Sequence, residues 1–195
     1  MEKFSRKEKV ALVVFGLILL AIIVQMIWRL GEFSAPSGTG MVIDEADIDL
    51  SNNLLRLPGI ITEVSSRNKE SQTPSKLFDN NLNSYWHVAL DSVGDPAWIT
   101  IDFGEGNEKT IRSLAALPRA DIPKQFFRKA ELFGSDNGED WELVSEIIQG
   151  ETPSSATLRK WEFDNDRAYR YYQLLITDGH EGGKFFSMAE LALFE

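Results

Sequence analysis

The sequence predicts an all-β domain, a jelly-roll β-sandwich, preceded by one N-terminal transmembrane α-helix. Three observations predict it. One uncharged apolar run fills residues 10–28. Beyond residue 60 the chain reads as short apolar runs of alternating character, broken by turn residues, which is the pattern of sandwich strands. No stretch after residue 30 sustains a helical period.

The run at 10–28 (VALVVFGLILLAIIVQMIW) holds a single strongly polar residue, Gln25. As a helix rising 1.5 Å per residue it is roughly 28 Å long, the thickness of a hydrocarbon core. A cleaved leader has a shorter apolar region and a small-x-small site; this run ends in Met26, Ile27 and Trp28, so an uncleaved anchor is expected. Lys3, Arg6, Lys7 and Lys9 precede it, whereas Arg29 alone follows closely. The positive-inside rule then places residues 1–9 in the cytoplasm and the C-terminal domain outside the cell membrane, in the periplasm if the envelope is Gram-negative. Residues 29–54, with Pro36 among small and polar residues, read as a linker, and 55–195 as the domain.

Composition bounds the function. With 43% hydrophobic and 26% charged residues among 195, the chain is globular. The net charge is −10, and acidic side chains outnumber basic ones within 55–195. That excludes nucleic acid as a partner, because phosphates require a basic face. The absence of cysteine excludes disulfides, thiolate nucleophiles and cysteine zinc sites. Two histidines lie far apart, and no Gly-x-Ser-x-Gly, phosphate loop or His-Glu-x-x-His occurs. The chain does not read as an enzyme.

The strands follow in order. Residues 97–103 (AWITIDF) alternate, with Trp98, Thr100 and Asp102 on one side and Ile99, Ile101 and Phe103 on the other. Residues 111–117 are a second candidate. Residues 130–134 and 141–144 flank Asn137-Gly138, a hairpin signal. Residues 158–163 (LRKWEF) and 169–177 (YRYYQLLIT) follow, and 185–194 close the chain. Trp86, Trp98 and Trp141 read as core.

Four stretches carry a family resemblance. They are 74–87 (PSKLFDNNLNSYWH, with Ser65 and Ser66 upstream), 96–104 (PAWITIDFG), 117–119 (LPR) with 130–141 (AELFGSDNGEDW), and 189–191 (AEL). In this order and spacing, residues from about 55 to 195 resemble the discoidin domain, or coagulation factor V/VIII type C domain. Its bacterial relatives include carbohydrate-binding module family 32, and the wider fold is the galactose-binding-like sandwich. The resemblance implies a structural calcium ion held by Lys76, Asp79, Asn81, Ser84, Ala189 and Glu190. Such a mix of carboxylates and carbonyls is what calcium requires. Asn80 stands where the family has glycine, and Asn tolerates the left-handed turn.

The resemblance also implies a ligand site at one loop end. Its candidates are His87, Arg119, Phe126, Phe127 and His180, with Phe185 and Phe186 as further aromatics. The Asn-Gly that some relatives carry after the arginine is replaced by Asp121-Ile122-Pro123-Lys124-Gln125. Two functions are expected from this. One is a membrane-anchored module that binds a carbohydrate of the cell envelope. The other is a non-catalytic subunit of a membrane protein complex, docking through the sandwich and the helix, with the lipid bilayer as a further partner.

Overall fold

The computed structural model describes residues 49–65, 71–89, 97–180 and 185–195. The expected helix at 10–28 and most of the linker lie outside them. Among the described residues, no helix is long and apolar enough to cross a membrane.

Among the described residues, ten antiparallel strands build the domain: β1 Ile61–Val64, β2 Trp86–Ala89, β3 Ala97–Asp102, β4 Ser113–Leu117, β5 Phe127–Ser135, β6 Glu142–Ile148, β7 Arg159–Glu162, β8 Tyr171–Gly179, β9 Phe185–Met188 and β10 Glu190–Phe194. They form a five-stranded sheet (β1-β3-β8-β5-β6), a three-stranded sheet (β10-β4-β7) and a two-stranded ribbon (β2-β9).

Period-two alternation decides what faces inward. In β3, Ala97, Ile99 and Ile101 are buried, while Trp98, Thr100 and Asp102 are half-buried on the outer face. Strand β8 buries Tyr172, Leu174 and Ile176. One core gathers these with Leu114, Trp161 and Leu193 of the three-stranded sheet and Trp86 and Phe186 of the ribbon. Each such large apolar side chain contributes roughly 1.5–3 kcal/mol on burial. Trp86 is core as expected, but Trp98 is on the outer face and Trp141 is half-buried. Trp161 fills the place assigned to them, and its indole N–H donates to the Ile148 carbonyl at 3.0 Å.

Three local features position the site. The closing run at 185–194 is two strands, because the chain bends at Ala189, whose N–H donates to the Leu117 carbonyl at 2.8 Å. Strand β9 therefore pairs with β2, and β10 with β4. Second, the loop between β5 and β6 is longer than a two-residue hairpin turn. Gly138 takes φ +76° within it, and Asn137 Oδ1 accepts the N–H groups of Glu139 and Asp140. Third, the domain starts before residue 55. Asn53, at the end of the expected linker, is buried, donates to the Leu191 carbonyl (2.9 Å) and accepts from the Leu193 N–H (3.1 Å).

Candidate functional site

Two neighbourhoods carry the expected chemistry. The first is the turn at 76–84 with the start of β10. Asp79 Oδ1 accepts from the Asn81 N–H at 3.0 Å, and the Ser84 hydroxyl lies 2.8 Å from both Asp79 oxygens. The Asn81 carbonyl accepts from the Ser84 N–H at 2.9 Å and its hydroxyl at 3.0 Å. Asn80 takes φ +60°, the left-handed turn expected of it. Burial pushes the Asp79 carboxyl up, but Ser84, the Asn81 N–H and Lys76 outweigh it and hold the group below the ordinary carboxylate range.

Glu190 faces this turn from the far end of the chain. It is 1% exposed, and its Oε1 has no hydrogen-bond partner. Its Oε2 lies 3.4 Å from Arg56 Nη2. Burial, seconded by the nearby Asp79 charge, pushes the Glu190 carboxyl above its usual range against the pull of Arg56. Ala189 is fully buried at the strand bend. Lys76 contributes its ammonium, 3.3 Å from Asp79 Oδ2. Among the described residues no group of three or more His, Cys, Asp or Glu side chains stands together as a metal cluster. A cation here would rest on two carboxylates and on neutral oxygens, a donor set suited to calcium. The unpartnered buried Glu190 oxygen fits that role.

The second neighbourhood is built on Arg119, which is buried. Its Nε and Nη2 each donate to Asp121 at 2.6 Å, Nη2 also donates to the Tyr85 hydroxyl at 2.8 Å, and Nη1 to Gln125 Oε1 at 3.4 Å. The guanidinium carbon sits 3.7 Å from the Tyr85 ring centre. The Arg119 fork holds the Asp121 carboxyl below its ordinary range against a smaller effect of burial. The Tyr85 ring approaches the His87 ring (6.3 Å between centres), which in turn meets Phe185 (5.8 Å). Phe185 is 44% exposed, whereas Phe186 points into the core. Pairing of β2 with β9 brings these rings together, since Ala89 is opposite Phe185 and His87 opposite Ser187.

Three expected residues are corrected. Phe126 and Phe127 are each 1% exposed, stacked 4.3 Å apart, with Phe127 against Trp161. Both rings are committed to the core and offer no face to a ligand. His180 makes its contacts elsewhere, its Nδ1 lying 3.0 Å from the Thr152 hydroxyl. Tyr85, Gln125 and Arg56 were not anticipated. The one signal for the first was its place two residues before His87, at the threshold of β2.

The profile of the F5/8 type C domain matches residues 61–191. The chain belongs to the F5/8 type C domain family. Comparison with curated proteins finds no match. Among solved structures, this F5/8 type C domain is similar to the family 32 carbohydrate-binding module of Clostridium perfringens NanJ, solved with galactose. That likeness has 24% identity and a TM-score of 0.57, covering 70% of this chain and 93% of that one. It is similar to CpGH89CBM32-5 of the same organism, solved with GalNAc-β-1,3-galactose (23% identity, TM-score 0.57, covering 70% and 95%). It is also similar to the chitosan-binding module 1 of a chitosanase/glucanase from Paenibacillus sp. IK-5 (16% identity, TM-score 0.52, covering 69% and 94%). These likenesses establish the fold. Arg56 lies outside the matched F5/8 type C residues.

Proposed function

We propose that this F5/8 type C domain is a non-catalytic carbohydrate-binding module, held on the extracytoplasmic side of the cell membrane by the 10–28 helix. The observation that carries the reading is the row of rings, Tyr85, His87 and Phe185, that leads from the Arg119–Asp121 fork to a half-exposed aromatic. A half-exposed ring can stack on the apolar face of a sugar. A fixed, charged fork at the other end of that row can exchange hydrogen bonds with hydroxyls, and a preorganised fork spends little entropy in doing so. Tyr85, His87 and Gln125 complete the polar rim. The galactose and GalNAc-β-1,3-galactose with which the similar Clostridium modules were solved make galactose-type sugars the first to test.

The same reading includes calcium as a structural ion. Asp79 and Glu190 supply charge, and the carbonyls at 76, 81 and 189 supply neutral donors. The ion would tie the 76–84 turn to β10 across a loop of over 100 residues, which stiffens the ligand end without entering any reaction.

The deciding experiment is a glycan array probed with the tagged chain, followed by sugar titration of intrinsic fluorescence for wild type and for Arg119→Ala and Phe185→Ala. Saturable binding lost in both variants supports the module. No glycan signal rejects it.

A second reading is a docking subunit of a membrane complex. Ile61 and Ile148, 60% and 49% exposed, stand at the two edges of the outer face of the five-stranded sheet. A groove of about 340 Å³ lined by Ile61, Glu63, Thr100, Asp102, Gly138 and Tyr171 opens there. Stoichiometric membrane subunits co-purifying in mild detergent, without any glycan signal, would favour this reading.

A further inference from the structure

The clamp around Asp79 and Glu190 contains its own cations. The Lys76 ammonium is 3.3 Å from Asp79 Oδ2, and the Arg56 guanidinium is 3.4 Å from Glu190 Oε2. Two carboxylates therefore face two positive charges before any metal arrives. The two bases differ in freedom. Lys76 has a flexible stem and a side chain 36% exposed, so it can swing into solvent. Arg56 is bound on several sides. Its Nε donates to the Phe78 carbonyl (3.3 Å), Nη1 to the Leu50 carbonyl (3.0 Å) and Nη2 to Asn80 Oδ1 (3.4 Å) as well as to Glu190.

The guanidinium thus ties three segments together: the turn at residues 50–56, the 76–84 turn and the first residue of β10. It engages one Glu190 oxygen and leaves the other, Oε1, buried and unpartnered. The segment that carries it precedes the residues matched by the family.

Building on the calcium reading above, we infer that Arg56 and Lys76 are tethered counter-ions of the clamp. They hold it closed without metal and make its calcium affinity low. Affinity at oxygen sites follows the net ligand charge. A divalent ion entering here adds to a neutral site rather than a doubly negative one, and like charges a few ångströms apart repel strongly where solvent is partly excluded. Lys76 can leave to admit the ion, whereas Arg56 stays, aiming Glu190 and repelling the ion together. The clamp then fills only where calcium is plentiful, as it is outside a cell, and the domain stays folded when calcium is scarce.

Calorimetric calcium titration of the full chain in mild detergent tests this, with melting temperature in calcium and in EDTA as a second readout. Wild type should bind weakly and melt alike in EDTA and in untreated buffer. Arg56→Gln should bind about tenfold more tightly while melting lower in EDTA, because charge and cross-link go together. Lys76→Gln, an exposed change that keeps the Arg56 cross-link, should also tighten binding, and its result decides if Arg56→Gln does not fold. Binding by wild type with no gain in either variant overturns the inference and leaves the calcium reading standing. No binding by any of the three overturns both.

Discussion

Arg119 grips Asp121 through two hydrogen bonds of 2.6 Å while resting 3.7 Å above the centre of the Tyr85 ring. The arginine is buried and the aspartate is exposed. The pair is therefore a surface carboxylate held by an interior base, and the two substitutions should differ. Arg119→Ala removes bonds to three side chains and strands the Tyr85 and Gln125 groups, at a cost of about 1–3 kcal/mol by denaturant unfolding. Asp121→Asn should leave stability nearly unchanged and weaken sugar binding, read by fluorescence titration.

Phe185 and Phe127 make a second contrast. Phe127→Ala empties space between Phe126 and Trp161 and should cost about 3–5 kcal/mol. Phe185→Ala removes a half-exposed ring and should shift stability by less than about 1 kcal/mol while abolishing sugar binding. Equal destabilisation by both would contradict the placement of Phe185 at the ligand face.

Gly134 is required by proximity. A Cβ built there would lie 2.4 Å from the Tyr169 ring, and that ring is buried and anchored through its hydroxyl to Glu142 at 2.9 Å. Gly134→Ala should destabilise by about 1–3 kcal/mol through overpacking. Tyr169→Leu in the same background should recover part of the loss in a double-mutant cycle.

His180 predicts a pH response. Burial pushes its imidazole below the ordinary 6.5, with Arg128 acting in the same direction and Asp178 against it. The unfolded chain thus takes up the proton at a higher pH than the folded one. The stabilisation is complete above the unfolded value and is lost as pH falls through it toward the lowered folded value. Melting temperature should drop on acidification from about pH 7 to about pH 5, and His180→Gln should flatten that drop. An unchanged slope in the variant would assign the effect to other groups.

Asp79→Ala addresses calcium directly. About millimolar calcium should raise the melting temperature of wild type and leave the variant unmoved. A rise of equal size in both would remove Asp79 from the ligand set.

How far the sequence reached depended on whether the governing interaction was local. Alternation in residues 97–103 made β3 legible, because a half-buried strand writes its two faces into every second residue, and the aromatic and branched residues of 169–177 marked β8. The Asn80 turn was legible for the same reason, since its φ of +60° is a property of one residue. The four motif stretches in their order carried the family, and the family carried the fold. What lay beyond reach was set by contacts across long stretches of chain. Nothing near Phe126 and Phe127 says that both rings turn inward; the Trp161 surface they pack on is over 30 residues away. Residue type alone could not sort the tryptophans, because Trp161 became core and Trp98 did not through the stacking of two sheets. Arg56 could be joined to Glu190 only once β10 had been laid against the turn at residues 50–56, 134 residues apart in sequence. The sequence by itself determined the class of the domain, most of its strands and the residue types available for binding. Tertiary packing alone decided which of those residues share a site, because burial and charge pairing depend on distance in space rather than along the chain.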